Sequence, residues 1–341
     1  MYRFLILTIS VLFFVACEKD KPVAEDSITF PTEFSNGLFF VNEGQFNKAN
    51  ASLSFYDAEN DTIFSKAYEM VNNQPVGDIF QSSAFDDDNL YLVVNNSGKI
   101  IVADKKTLTF NGEITGLPSP RYMEYSGTAD LWYVSNLLND SLFVVNTSNY
   151  TIKSKEYLGA AVEAMKTVAG KLYLSSPSSD HLYVKDLATN LLDSIFVSVG
   201  GNSLIVDNNN SLWLLCNGDF YIPGSAALHQ INTDNQTVAQ SISIATGYPS
   251  KLSYNTQNNT LYFINTDVYV LKLDEPAAQP EVFIEAAGKS FYGLDVINNN
   301  IFVTDAIDYV QNGVVYEYTE NGELLKTLTA GVNPNAVVTI P

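Results

Sequence analysis

Leu90-Tyr91-Leu92-Val93-Val94-Asn95 decides how this chain is read, because close copies of it run from one end to the other. Leu131-Trp132-Tyr133-Val134-Ser135-Asn136 follows Asp130, and Leu172-Tyr173-Leu174-Ser175-Ser176 follows Lys171. Leu212-Trp213-Leu214-Leu215-Cys216-Asn217, Leu261-Tyr262-Phe263-Ile264-Asn265 and Ile301-Phe302-Val303-Thr304-Asp305 continue the series, and Leu38-Phe39-Phe40-Val41-Asn42 opens it. Each copy is an aliphatic, an aromatic, further apolar residues and usually a closing Asn or Asp. Successive copies start 52, 41, 41, 40, 49 and 40 residues apart. A period near forty marks a repeat architecture and takes precedence over any local motif.

The residues between copies repeat too. A second strand follows each seed, at 52–56, 99–103, 141–146, 181–185, 227–231, 267–271 and 314–318. Third strands read at 152–158, 193–199 and 237–244. Gly- or Pro-marked loops come next, such as Pro118-Ser119-Pro120 and Gly200-Gly201. A short last strand then precedes the next seed, at 79–85, 121–125, 163–168, 203–206, 251–254 and 292–297. No window holds a sustained helical period. Four short antiparallel strands in each of seven units predict an all-β, seven-bladed β-propeller. A pair of β-sandwiches would not explain the even spacing. The first seed has only 31–36 before it, which is poor strand material. The missing strand reads at 336–340, after the loop Gly331-Val332-Asn333-Pro334. The C-terminal strand is therefore expected to complete the first blade and close the ring, which removes exposed strand edges.

Of 341 residues, 46% are hydrophobic, ample for a core, and the net charge is −20. Such an acidic surface repels phosphate backbones and argues against nucleic acid as a partner. Arg3, the apolar run 4–16 and Cys17 after Phe14-Val15-Ala16 read as a signal peptide with a lipobox-like end. The predicted organisation is a signal peptide at 1–16, a tether at 17–36 beginning with lipidated Cys17, and the propeller at 37–341. Glu18-Lys19-Asp20 resembles the charged tags of surface-exposed lipoproteins in the Bacteroidetes. The expected location is the outer membrane, exposed at the cell surface as that tag implies, with membrane contact only through the lipid. The single other cysteine, Cys216, falls mid-strand, so packing rather than disulfides must hold the fold.

Three loops after the seeds are long: 43–51, 218–226 and 306–313. Insertions on one face of a repeat protein commonly build its binding surface. The candidate ligand-binding residues are Gln45, Phe46, Tyr221, Asp308 and Tyr309 on these loops. Arg121, Tyr122, Tyr248 and Tyr292 join them from the loops leading into the innermost strands. Aromatics with amides and one Arg suit a large amphipathic ligand. His181 and His229 both sit in second strands, away from that face, so no catalytic residue is assigned. Asp305 and Asp308 supply too few oxygens for Ca²⁺, and no metal site or required cofactor is expected. The chain reads as a binding protein and not an enzyme.

Tyr133-Val134-Ser135-Asn136 resembles the YVTN repeat of YncE-like seven-bladed propellers. Val41-Asn42-Glu43-Gly44-Gln45-Phe46 and the ending Asp305-Ala306-Ile307-Asp308-Tyr309 through Gly313-Val314-Val315-Tyr316 to Gly331 resemble a lipoprotein subfamily from the Bacteroidetes. That subfamily includes the BtuG-type surface proteins. The resemblance implies capture of cobalamin or another corrinoid and its delivery to a TonB-dependent outer-membrane transporter. The alternatives are a protein-interaction scaffold without a small ligand, and a lactonase or quinoprotein-like enzyme.

Overall fold

Burial falls from the seeds outward, and this gradient builds each repeat into one sheet. The seed strand Thr260–Asn265 is buried at every position, whereas the outermost strand Thr151–Tyr157 is exposed at five of seven. The architecture described here is a computed structural model covering residues 29–340. The signal segment 1–16, Cys17 and the tether as far as residue 28 lie outside the described residues. From Pro31 onward the described chain forms one compact unit of seven antiparallel sheets, each of four strands. The innermost strands, in ring order, are Pro334–Val338, Phe80–Phe85, Pro120–Tyr125, Met165–Val168, Gly201–Val206, Ser250–Asn255 and Phe291–Ile297. They belong to blades one to seven respectively.

The ring closes as the repeat count requires. Pro334–Val338 pairs antiparallel with Gly37–Asn42, with Val41 opposite Ala336 and Phe40 opposite Val337. This strand starts two residues earlier than 336 and ends at Val338. The expected loop at 331–334 shrinks to a single residue, because the outer strand of blade seven continues to Val332. Asn333 alone makes the corner at φ 52°. Asn tolerates that left-handed region, and its amide donates to the Gly44 carbonyl at 2.7 Å.

Apolar side chains meet between blades, not within them. Tyr91 and Val93 of blade two pack with Met123, Trp132 and Val134 of blade three. Leu182 and Val184 meet Leu204 and Leu214 between blades four and five. Phe40 and Val337 meet Phe302 and Val315 across the closing junction. Each such fully buried side chain stabilises by about 1.5–3 kcal/mol relative to exposure. Phe34 is buried against the Phe39 and Phe55 rings, so packing begins upstream of Gly37.

The Asn or Asp that ends four of the seeds has a shared task. Asn42 Oδ1 accepts from Gly331 N at 2.9 Å, Asn136 Oδ1 from Ser119 N at 2.7 Å, and Asp305 Oδ1 from Ser290 N at 2.9 Å. Asn265 Nδ2 donates to the Thr246 carbonyl at 2.8 Å. Each ties the loop leading into its blade's innermost strand. Gly331 is glycine because a Cβ there would lie 2.7 Å from the Asn42 side chain.

Among the described residues, one helix interrupts the all-β pattern. Ala67–Asn72 follows the three-residue outer strand Thr62–Phe64 of blade one and buries Ala67 and Tyr68. Asn72 donates to the Leu108 carbonyl and accepts from Phe110 N, both at 2.8 Å, and so bridges to blade two. Six residues are too few to show helical periodicity in sequence.

Candidate functional site

The innermost strands are irregular at one end, and the irregularity falls on polar residues. Their pairing with the seeds shifts register at Gln81, at Arg121 and Tyr122, at Asn202, at Lys251 and Leu252, at Tyr292 and Gly293, and at Asn335. Six of the seven innermost strands thus bulge near their start. A bulge re-aims the side chain it carries. Here it gathers polar groups at the mouth of the central channel. Lys251 adopts φ 58°, a left-handed backbone uncommon for a long side chain.

These groups are bound to one another. Arg121 grips Glu163 through Nη2 at 2.6 Å and Nε at 2.9 Å, and its Nη1 donates to Gln81 Oε1. Lys251 Nζ donates to Asn335 Oδ1 and lies 5.9 Å from the Tyr292 ring centre. Tyr292 donates its phenol proton to Glu43 Oε2 at 2.5 Å. Glu43 is the first residue of the long loop 43–51 and is 8% exposed. Burial pushes its carboxyl up, against the pull of Lys251 and the Tyr292 hydroxyl. Burial likewise lowers Lys251, opposed by Glu43 and Asp295. Asp295 is pushed up to about 6 by burial, although Val337 N–H and Lys251 favour its charged form. Burial raises Tyr122 and Tyr292.

Around this mouth stands an aromatic rim. Phe220 stacks on Tyr248 at 5.5 Å, and Tyr221 meets Phe220 edge-on at 5.4 Å. The Tyr248 hydroxyl donates to the Phe220 carbonyl at 3.1 Å, fastening the loop 218–226 to blade six. Tyr309 meets Tyr292 edge-on at 5.7 Å, joining rim to mouth. Tyr221 is 86% exposed and Phe46 66% exposed. Phe46 stays on its own loop and enters neither cluster.

Of the residues expected from sequence, Arg121, Tyr122 and Tyr292 stand at the mouth, Tyr221, Tyr248 and Tyr309 stand on the rim, and Phe46 stands apart, exposed on its own loop. One is spent locally: Asp308 Oδ1 accepts from Val310 N and Gln311 N, each at 2.9 Å, and so shapes its own loop. Gln45 lies on the loop 43–51, which is turned by its backbone N–H donating to Asn50 Oδ1 at 2.7 Å. Glu43, Gln81, Glu163, Lys251 and Asn335 were missing from the sequence reading. Six of the innermost strands place Gln81, Arg121, Asn202, Lys251, Tyr292 and Asn335 as their second residue, so aligning the repeats on those strands would have found Gln81, Lys251 and Asn335, whereas Glu43 and Glu163 lie outside the strands and carry no such signal.

Elsewhere the titratable groups are structural. His229 is buried, is lowered by that burial, and meets Ser241 Oγ at 2.8 Å and Ser198 Oγ at 3.1 Å. Asp305 Oδ1 accepts from Ser290 N and Ile307 N, which occupies it within the loop. Among the described residues, no group of three or more His, Cys, Asp or Glu is placed to hold a metal ion, and no helix is long and apolar enough to cross a membrane.

A β-propeller with a polar channel mouth and an aromatic rim is the class this geometry defines. The chain belongs to the family described as Domain of unknown function (DUF5074), whose model matches residues 36–330. No curated protein matches it. Among solved structures it is similar to a quinoprotein alcohol dehydrogenase-like protein from Bacteroides thetaiotaomicron. That match has 15% identity and a TM-score of 0.72, covering 90% of this chain and 79% of the other. It is also similar to a periplasmic gluconolactonase from Pseudomonas aeruginosa, at 13% identity and a TM-score of 0.68, covering 89% of this chain and all of the other. A candidate 6-phosphogluconolactonase from Bacteroides fragilis matches at 12% identity and a TM-score of 0.68, covering 93% and 100%. At these identities the likeness shows the fold. It overturns the expectation that the chain is not an enzyme. That expectation leaned on absent His motifs, whereas structures of this fold carry dehydrogenase-like and lactonase names, and the mouth holds buried carboxyl groups beside Arg121 and Lys251.

Proposed function

We propose that the loop face captures a broad amphipathic small molecule, with a corrinoid such as cobalamin as the first candidate. The observation that carries this reading is the exposed aromatic rim, drawn from blades five, six and seven, around a hydrogen-bonding mouth. Rings would cover the apolar faces of the ligand, and mouth and loop amides would pair with its polar fringe. In this reading the chain is a lipoprotein held to the outer membrane through Cys17, with a TonB-dependent transporter receiving the ligand. The resemblance to BtuG-type proteins at 41–46 and 305–331 supports the choice of cargo.

The test is isothermal titration of the purified protein with cyanocobalamin. Phe46→Ala and Tyr221→Ala should each weaken binding with little change in melting temperature, since both side chains are largely exposed. Absence of heat and of any thermal shift at high micromolar ligand would reject the corrinoid. For the anchor, Cys17→Ala should release the protein from the membrane fraction, and continued outer-membrane fractionation would reject lipidation.

A catalytic use of the same mouth is the second reading. It is favoured by the Glu43 carboxyl, raised by burial and hydrogen-bonded to Tyr292. A buried carboxyl that holds its proton more tightly than usual is suited to proton transfer. Turnover of simple sugar lactones, lost in Glu43→Gln, is its test.

A further inference from the structure

The charge balance at the mouth differs from that of an anion site. Arg121 and Lys251 face Glu43 and Glu163, with Asp295 just below, close enough to act on Lys251. Two cations therefore meet three carboxyl groups. The guanidinium fork is already filled by Glu163 at 2.6 and 2.9 Å. Lys251 is engaged by Asn335. An incoming carboxylate or phosphate would find no spare positive charge, and would be desolvated beside like charges. The neutral groups around the cluster have already given their hydrogens, Asn202 Nδ2 to the Pro249 carbonyl, Asn335 Nδ2 to the Gln81 carbonyl and the Tyr292 hydroxyl to Glu43. What they still offer is spare oxygen lone pairs, which accept from a ligand's amide N–H and hydroxyl groups without disturbing the ion pairs and give a carboxylate nothing to bind.

We infer that the mouth selects neutral, amide- or hydroxyl-rich groups and rejects carboxylates, with Glu163 as the residue that sets this preference. The inference rests on the ligand-capture reading of the same face. Glu163 acts by occupying Arg121. Its replacement by an isosteric amide would leave the fork able to accept a ligand's carboxylate.

The experiment compares cyanocobalamin with a monocarboxylate made from it by hydrolysing one side-chain amide, titrated against the full chain at pH 7.5. We expect the amide form to bind roughly tenfold more tightly, a difference of about 1.4 kcal/mol. In Glu163→Gln the gap should narrow at least threefold through a gain by the acid form, with melting temperature confirming the fold. Should that variant unfold, Glu163→Asp keeps the charge but shortens the side chain that fills the Arg121 fork, and it should narrow the gap in the same direction. Equal binding of the two forms, or a gap unchanged in a folded variant, would overturn the inference while leaving ligand capture intact. Failure of cyanocobalamin itself to bind would overturn both.

Discussion

Asp295 is the side chain whose environment carries the clearest consequence for pH. Its carboxyl titrates near 6 folded and near the ordinary 3.8 unfolded. The folded ring therefore binds more protons across that interval. The stability this contributes is fully present below about pH 4 and is lost as pH rises through about 6. Glu43 is shifted in the same direction. Asp295→Asn keeps an acceptor for Val337 N–H, which lies 2.8 Å from Asp295 Oδ2. It should flatten the fall in stability between pH 4 and 7 by on the order of 2 kcal/mol. Denaturant titrations of both proteins at several pH values measure this, and parallel pH profiles would contradict it. At this scale the sequence revealed the rim better than the mouth. Tyr221 and Tyr309 sit in long insertions that break the repeat, so they stand out. Lys251 and Glu163 look like ordinary surface charges until the ring brings them within reach of Asn335 and Arg121.

The seed strands were legible because their signal recurs seven times, and their closing Asn residues now have a physical account. Asn136 donates to the Leu138 carbonyl and accepts from Ser119 N, which fixes both loops flanking its blade's inner strands. It is fully buried, and removing it would orphan both partners. Asn136→Ala should cost about 1–3 kcal/mol, read from chemical denaturation. A loss below about 0.5 kcal/mol would show that the latch contributes little. The helix Ala67–Asn72 was not legible. Its contacts are tertiary, from Tyr68 in the core and Asn72 on blade two, and six residues carry no period of their own. Boundaries of the closing strand also escaped, because Pro334 suggested a loop where it in fact begins a strand.

Ring closure governs the molecule as a whole. Side chains of the innermost strands tie five of the seven blades to the next. Ser82 Oγ donates to the Arg121 carbonyl at 2.6 Å, Glu124 Oε1 accepts from Thr167 N at 2.7 Å, and Asn202 Nδ2 donates to the Pro249 carbonyl at 2.8 Å. Asp295 and Asn335 make the equivalent ties across the closing junction, to Val337 N and the Gln81 carbonyl. Removing residues 334–341 would sever both and expose two strand edges. That truncation should melt well below the full chain and self-associate; unchanged melting and a monomeric elution profile would contradict the account. The missing C-terminal partner of the first seed was deducible by counting strands, whereas the direction of the channel charges was not, since it depends on which groups the closed ring juxtaposes. Hydrogen exchange with and without saturating cyanocobalamin tests the central claim most directly, because it reports where the ligand sits. The account predicts slowed exchange in the loops 43–51, 218–226 and 306–313 and at the starts of the innermost strands, with the opposite face unchanged. Protection confined to the opposite face or the outer strands, or none at all, would contradict it.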